Sequence, residues 1–304
     1  MKLGLLSAIL DGYDFESMVD TASSMGFKTV EVACWPVGKA ERRYAGVSHI
    51  NVDELTDEKA EYYLNYCANR GVEIAALGYY PNPLDADEAK SQAAIAHIYK
   101  LIDASVKLKV YAVNTFIGRN QHLSVEENLE LVRKVWPAIV DYAQERGVRI
   151  GIENCPMLFG QDQWPGGQNL MTTPEIWRKV FEIIPNENFG IEFDPSHFVW
   201  QMMDYIQPIY EFKDRIFHIH FKDIKLLPER LKQVGVMAYP LDYMKPKIPG
   251  LGDIDWGAFV SALTDIGYEG SACIEIEDKA FEGSDERVLD SIRQAKRYMD
   301  QFVS

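Results

Sequence analysis

The chain has 304 residues, 47% hydrophobic and 25% charged, an ordinary globular composition with material for a large core. Its formal net charge is −15, from 46 acidic and 31 basic residues, and an acidic surface of this size argues against tight binding to nucleic acid or anionic lipid. No run approaches 18 consecutive apolar residues and Met1–Ala8 is too short an apolar run for a signal peptide, so no membrane span is expected.

Short apolar runs alternate eight times with longer amphipathic stretches. Lys2–Ser7 precedes Asp14–Met25, where Phe15, Met18, Val19 and Ala22 share one helical face. Thr29–Ala33 precedes Thr56–Arg70, Glu73–Leu77 precedes Ala86–Leu108, and Tyr111–Thr115 precedes Ser124–Arg146, which opens on the capping box Ser124…Glu127. Arg149–Glu153 is followed by a loop and by Thr173–Ile184, whose Thr173-Pro174 places a cap before proline at the first helical position. Gly190–Phe193 precedes Tyr205–Phe212. Ile216–His220 precedes a long loop and Trp256–Ile266. Ser271–Ile276 precedes Glu286–Phe302. Eight uninterrupted β-then-α units imply a parallel sheet, because parallel strands need helical crossovers; eight units that close on themselves make a (β/α)8 TIM barrel, an α/β fold occupying residues 1–304 as a single domain. Two long βα loops, Cys155–Thr172 and Leu226–Asp255, are expected over the C-terminal face, where lids and active sites of barrels lie. The four cysteines (Cys34, Cys67, Cys155, Cys273) lack CxxC spacing, and buried reduced thiols in a cytoplasmic protein are the expectation.

Four polar residues end four of the strand-like runs: Glu153, Asp194, His220 and Glu275. A carboxylate in a buried parallel strand is costly unless it is paired or metal-bound, and four such costs in one barrel would need four separate compensations. Converging at one rim, the four make a site for a divalent metal that prefers oxygen ligands. Glu277 shares strand parity with Glu275, and Glu192 with Asp194, so alternation alone does not choose between Glu275 and Glu277; Glu275 is preferred because it ends the apolar run. His197, just beyond Asp194, suits a substrate hydroxyl or carbonyl. Lys222 suits a carbonyl or oxyanion, or simply neutralises Asp223. His218 reads as core or support. Trp35, Tyr79 and Tyr80 suit an apolar pocket wall, and His49, His97 and His122 receive no role.

The chain resembles the xylose-isomerase-like TIM barrels, specifically the sugar (phosphate) isomerase/epimerase group. The resemblance rests on Ile152-Glu153-Asn154, Phe193-Asp194-Pro-Ser-His197, His220-Phe-Lys-Asp223, Pro249-Gly-Leu-Gly-Asp-Ile-Asp-Trp256, and Gly267-Tyr-Glu-Gly270 leading into Ile274-Glu275. It implies that Glu153, Asp194, His220 and Glu275 are metal ligands, that Glu153 and Glu275 are also the acid/base pair, and that His197 contacts substrate. DNA-repair endonucleases of the same fold carry histidines at strands three and four, where this chain has Leu77-Gly-Tyr-Tyr and Val113-Asn-Thr-Phe. Some ketose epimerases place a sugar-binding arginine soon after the strand-seven histidine, where this chain has Lys222 and Lys225.

The implied chemistry is proton abstraction beside a carbonyl of a keto-sugar or keto-glycoside, a metal-stabilised enediolate, and return of the proton; the same enediolate could instead expel water or an aglycone, as in a dehydratase or lyase acting also on an inosose. One divalent metal is expected, Mn2+ before Mg2+ or Co2+, because carboxylates with a single imidazole suit the harder ions. The expected partner is a small carbohydrate, with no nucleic acid and no membrane. Barrels of this kind commonly pair into homo-oligomers, although nothing in the sequence marks an interface.

Overall fold

Val30 and Ile191 are fully buried, and so are their strand neighbours Glu31 and Glu192, which face the other way. Burial on both faces is what a parallel sheet wrapped by helices demands. In a computed structural model that describes residues 1–38, 45–158 and 164–303, strands β1 (Lys2–Leu6), β2 (Thr29–Ala33), β3 (Glu73–Gly78), β4 (Ala112–Thr115), β5 (Arg149–Glu153), β6 (Phe189–Phe193) and β7 (Ile216–Phe221), with the late strand β10 (Ser271–Ile274), close into a parallel barrel. The seam pairs β1 with β10, Leu3 opposite Ala272. Two register slips occur at glutamates. Val30 opposes Ile74 but Glu31 opposes Ala76, and Ile191 opposes Ile216 but Glu192 opposes His218. Such slips re-aim side chains beside functional sites.

Helices α1 (Phe15–Ser24), α2 (Asp57–Ala68), α3 (Glu88–Lys107), α4 (Val125–Glu145), α5 (Pro174–Ile183), α9 (Trp256–Asp265) and α10 (Asp285–Met299) run outside the barrel. Asp14, Thr56, Asp87, Thr173, Asp255 and Ser284 accept backbone N–H groups as caps, and the Ser124…Glu127 capping box is formed in both directions. The main core lies between strands and helices, where Trp136, Trp177, Phe189, Phe193 and Phe259 are buried. No helix among the described residues is long and apolar enough to cross a membrane.

Two expected elements differ. The helix read over Tyr205–Phe212 is the short α7 (Gln207–Glu211), preceded by a single turn, α6 (Ser196–Val199). The long loop read over Leu226–Asp255 is instead the far part of an antiparallel hairpin that begins before it: β8 (Asp223–Leu226) pairs with β9 (Met244–Lys247), and helix α8 (Pro228–Val234) lies between its strands. The hairpin is pinned at its base. Lys247 Nζ donates to both oxygens of buried Asp278 at 3.0 and 3.1 Å. The Asp223 carboxylate accepts from the backbone N–H groups of Ile224, Gly250, Gly252 and Ile254 and from the Trp256 indole. This explains the Pro249-Gly-Leu-Gly motif: a Cβ on Gly252 would collide with Asp223 Oδ1 and the Ile224 carbonyl. Of the second long loop, Cys155–Thr172, residues 159–163 lie outside the described residues. Its Trp164 indole donates to the Met237 carbonyl at 2.9 Å, which ties the two excursions together.

Candidate metal centre and active site

The barrel register carries the predicted residues to one mouth. Glu153 is the last residue of β5, Asp194 follows β6, His220 is the penultimate residue of β7, and Glu275 follows β10. Glu153, Asp194 and His220 are buried, and the Glu275 side chain is 13% exposed. His220 Nδ1 lies 3.0 Å from Glu275 Oε2 and 3.9 Å from Glu153 Oε1. One ligand atom from each of Glu153, His220 and Glu275 falls within 4.8 Å of the other two. Asp194 stands beside this trio. Its Oδ2 is 3.0 Å from Lys222 Nζ, which is also 3.0 Å from Glu275 Oε1, and 3.2 Å from His197 Nε2. His197 Nε2 is 3.6 Å from Glu153 Oε1.

Hydrogen-bond accounting distinguishes these atoms. Glu153 Oε1, Asp194 Oδ2, His220 Nδ1 and Glu275 Oε2 are buried and none has an aligned hydrogen-bond partner; His197 Nε2 is in the same condition. Leaving one such atom unpaired costs on the order of 1–3 kcal/mol, so the cluster points to a group that takes the lone pairs of the first four and an oxygen that meets His197. Three carboxylates and one imidazole are a donor set that fits a divalent cation of the Mn2+ or Mg2+ kind. Burial raises each carboxyl, but His197, His220 and Lys222 hold Glu153 down at about 2, and Lys222 and His197 hold Asp194 below the usual carboxylate range. Glu275 is raised by burial and by the Glu153 charge, against the pull of Lys222. Burial works against the Lys222 cation, yet Asp194, Glu275 and Glu277 keep it firmly protonated.

Beneath this mouth lies a second cluster of the same residue types. Glu31 and Glu192, both fully buried, face the other ring nitrogen of His220: Nε2 is 3.0 Å from Glu31 Oε2 and 2.8 Å from Glu192 Oε1. The Asn114 amide donates to Glu31 Oε2 at 3.2 Å and to Glu192 Oε1 at 2.7 Å. The Tyr80 hydroxyl bridges the remaining oxygens, Glu31 Oε1 and, at 3.0 Å, Glu192 Oε2. His218 Nε2 adds a contact 3.0 Å from Glu31 Oε2, off the line of a hydrogen bond. Every carboxylate oxygen of this lower pair therefore has a hydrogen-bond partner, although the single Tyr80 proton serves one of its two oxygens at a time. Burial raises both carboxyls; the two histidines hold Glu31 well below the usual range, while the Glu31 charge pushes Glu192 well above it, so the pair shares a proton. Room for the network comes from Gly78, where a Cβ would stand 2.5 Å from Glu31 Oε1.

The cavity over the mouth is about 100 Å3 and is lined by Trp35, Leu6, Ile9 and Phe116 opposite Glu153, Lys222 and Glu275. Trp35 thus reaches the site, as does Tyr80. Tyr79 does not; it packs edge-on between Trp35 and His97. The Tyr80 ring forms wall, but its hydroxyl belongs to the lower network. Lys222 turns to Asp194 and Glu275 rather than to Asp223, which the hairpin base satisfies. Glu275, not Glu277, meets His220; Glu277 has a 40% exposed side chain and stands 3.6 Å from Lys222. Glu31 and Asn114 were missed by sequence reading. The signal was available: Glu31 sits mid-strand in Thr29-Val-Glu-Val-Ala, where a carboxylate has no solvent to face on either side.

Comparison with known proteins agrees with this geometry. A sequence model of the xylose isomerase-like TIM barrel family matches residues 19–300. Inosose dehydratase of Geobacillus thermodenitrificans (strain NG80-2) is 24% identical over 195 residues, 62% of this chain and 64% of that protein. D-psicose 3-epimerase from Clostridium cellulolyticum H10, solved with D-tagatose, superposes over 100% of both chains with a TM-score of 0.72 and 15% identity. The IOLI protein, solved with a bound zinc atom, does so over 100% of both chains with a TM-score of 0.73 and 18% identity. At these identities the two solved structures establish the shared architecture, while the family match spans nearly the whole sequence. The chain belongs to the xylose isomerase-like TIM barrel family.

Proposed function

We propose that this chain is a divalent-metal-dependent isomerase or epimerase of a keto-sugar or keto-glycoside. One observation carries the proposal: the buried atoms without aligned partners include one from each of Glu153, Asp194, His220 and Glu275. These four would hold the metal, Mn2+ by preference for their oxygen-rich set. When bound, it would supply Lewis-acid polarisation of a carbonyl and charge stabilisation of an enediolate.

The chain's own groups account for the remaining steps. Glu153 and Glu275 offer carboxylate oxygens within 4.8 Å of each other. One takes the proton from the carbon beside the carbonyl and the other returns it. Return to the opposite face of the same carbon inverts it; return to the neighbouring carbon exchanges aldose and ketose. The Lys222 ammonium, 4% exposed, is placed to meet the oxygen on which negative charge develops. His197 Nε2 is available to a substrate hydroxyl. Trp35 and its apolar neighbours exclude water from the intermediate. Below, the Glu31–Glu192 pair accepts from His220 Nε2, which fixes the ring and its tautomer and leaves the Nδ1 lone pair for the metal. All four cysteines are unpaired, in keeping with a cytoplasmic enzyme.

The likeness to an inosose dehydratase favours a second reading, in which the same enediolate expels water or an aglycone. NMR in heavy water with Mn2+-loaded protein and a panel of keto-sugars, keto-glycosides and an inosose separates the two. Deuterium at the carbon beside the carbonyl, in a product otherwise unchanged in mass, identifies the isomerase or epimerase. Loss of water or aglycone identifies the lyase. If no substrate of the panel exchanges or eliminates, both readings fail.

A further inference from the structure

A second cavity, of about 260 Å3, opens on the same face of the barrel and shares no lining residue with the first. The two adjoin along the chain: Cys155 lines one and Pro156 the other, and consecutive Cα atoms are about 3.8 Å apart. Phe116 and Arg119, on one loop, are divided between them in the same way. Gln201, in the wall of the second cavity, donates to the carbonyl of His197 at 2.6 Å.

The chemistry of this cavity is specific. Trp164 and Trp200 both line it, with ring centroids 6.4 Å apart and planes inclined at 58°. The Trp164 indole edge is fixed by the Met237 carbonyl. Arg119 enters half-buried, and among the described residues no carboxylate lies within ion-pair distance of it. Its Nη1 donates to the Gly166 carbonyl at 2.8 Å, while its buried Nε has no partner. The loop that presents it is clamped: Asn82 accepts from the Arg119 N–H and donates to the Arg119 carbonyl, both at 2.8 Å. A half-buried guanidinium held in place with a donor unused asks for an oxygen-rich ligand. Aromatic faces beside it suit the C–H surface of a ring.

We propose that this cavity is a binding site for the second sugar ring of a glycoside, with Arg119 and Gln201 bonding its oxygens and Trp164, backed by buried Trp200, giving it an apolar contact. This rests on the reading that the first cavity processes a sugar ketone, and it makes the substrate a keto-glycoside rather than a free keto-sugar. The first cavity, at about 100 Å3, takes the reacting ring, and the second takes the aglycone ring.

The test uses binding without chemistry. Tryptophan fluorescence and saturation-transfer NMR compare methyl glucoside with methyl cellobioside, neither of which carries a ketone. The disaccharide is expected to bind about tenfold tighter than the monosaccharide, and Arg119→Gln and Trp164→Ala are each expected to remove most of that advantage while the melting temperature stays near wild type. Because Trp200 is 5% exposed and its removal could disturb folding, Gln201→Ala serves as the further variant. Equal affinity for the two sugars, no binding of the disaccharide, or an advantage that survives Arg119→Gln, Trp164→Ala and Gln201→Ala overturns the assignment. Failure of the heavy-water experiment would remove the proposed reaction and leave a disaccharide preference standing, so the two claims fall separately.

Discussion

His220 stands between two acid–imidazole clusters that look alike by distance and differ in their hydrogen bonds. Both the upper group (Glu153, His220, Glu275) and the lower group (Glu31, Glu192, His218, His220) have spacings that a metal could bridge. In the upper group the convergent atoms lack partners. In the lower group Asn114, Tyr80 and His220 stand within hydrogen-bond reach of every carboxylate oxygen. Spacing alone offers three overlapping groups, the third being Glu153, Cys155 and His197; hydrogen-bond partners separate the lower group, which they satisfy, from the two that share Glu153. The difference teaches that a buried carboxylate is read by what its lone pairs already hold.

Removing the metal breaks the comparison most severely. Chelation is expected to abolish turnover, with full recovery on adding Mn2+, and to lower the melting temperature, since a ligand at a hundred times its Kd stabilises by about 2.7 kcal/mol. If metal analysis finds two tightly held ions per chain, the lower cluster is not a scaffold. Next come the upper carboxylates. Glu153→Gln or Glu275→Gln is expected to cut solvent-deuterium exchange by about 10²–10⁴-fold. Glu275→Gln should leave the melting temperature of the metal-free protein near wild type, because burial and the Glu153 charge already disfavour its ionised form, whereas Glu153→Gln should lower it, because His197, His220 and Lys222 stabilise that carboxylate in the folded state. A variant that exchanges at the wild-type rate removes that glutamate from proton transfer.

The lower cluster should respond in the opposite sense. Glu192→Ala takes one of two carboxylate acceptors from Asn114, Tyr80 and His220 and leaves Glu31 alone to hold them. It is expected to weaken Mn2+ binding about 10–100-fold and to destabilise the metal-free protein. Isothermal titration of the metal and thermal melts report the two effects independently of activity. Gly78→Ala probes the same region more gently. The added Cβ presses on Glu31 Oε1 and Tyr80, for an expected overpacking cost of about 1–3 kcal/mol. An unchanged melting temperature for Gly78→Ala would mean that the network has slack.

The upper cluster was legible in the sequence because its members end apolar runs, where strand parity and position together forecast a shared rim. The barrel was legible for a similar reason: β2 and β5 match the expected Thr29–Ala33 and Arg149–Glu153 residue for residue. The mid-strand position of Glu31 marked it as unusual, but its partners were hidden, because Asn114, Tyr80 and His220 join it to Glu192 through contacts 49 to 189 positions apart that no local pattern encodes. The register slips at Glu31 and Glu192 are likewise products of pairing. The β8–β9 hairpin escaped because its strands are four residues each, one carries Pro246, and their alternation is too short to separate from loop.

Two histidines outside both clusters set the floor for effects of this kind. His49 is buried between the Ser7 hydroxyl, 3.0 Å from Nδ1, and the Leu10 carbonyl, 3.1 Å from Nε2; His97 Nε2 is 2.8 Å from the Cys34 carbonyl. Burial holds both below the usual histidine value. The unfolded chain therefore binds a proton on each more readily than the folded one does. The stability they contribute is present above the unfolded value of about 6.5 and is lost as pH falls below it toward the depressed folded values. The melting temperature of the metal-free protein is expected to fall from pH 7 to pH 5, and to fall less in His49→Gln and His97→Gln. Neither variant should alter Mn2+ affinity, because neither ring touches His220 or its partners. If both variants keep the wild-type pH slope, these two histidines do not carry the acid sensitivity, which must then come from other groups that bind protons less readily in the folded chain than in the unfolded one.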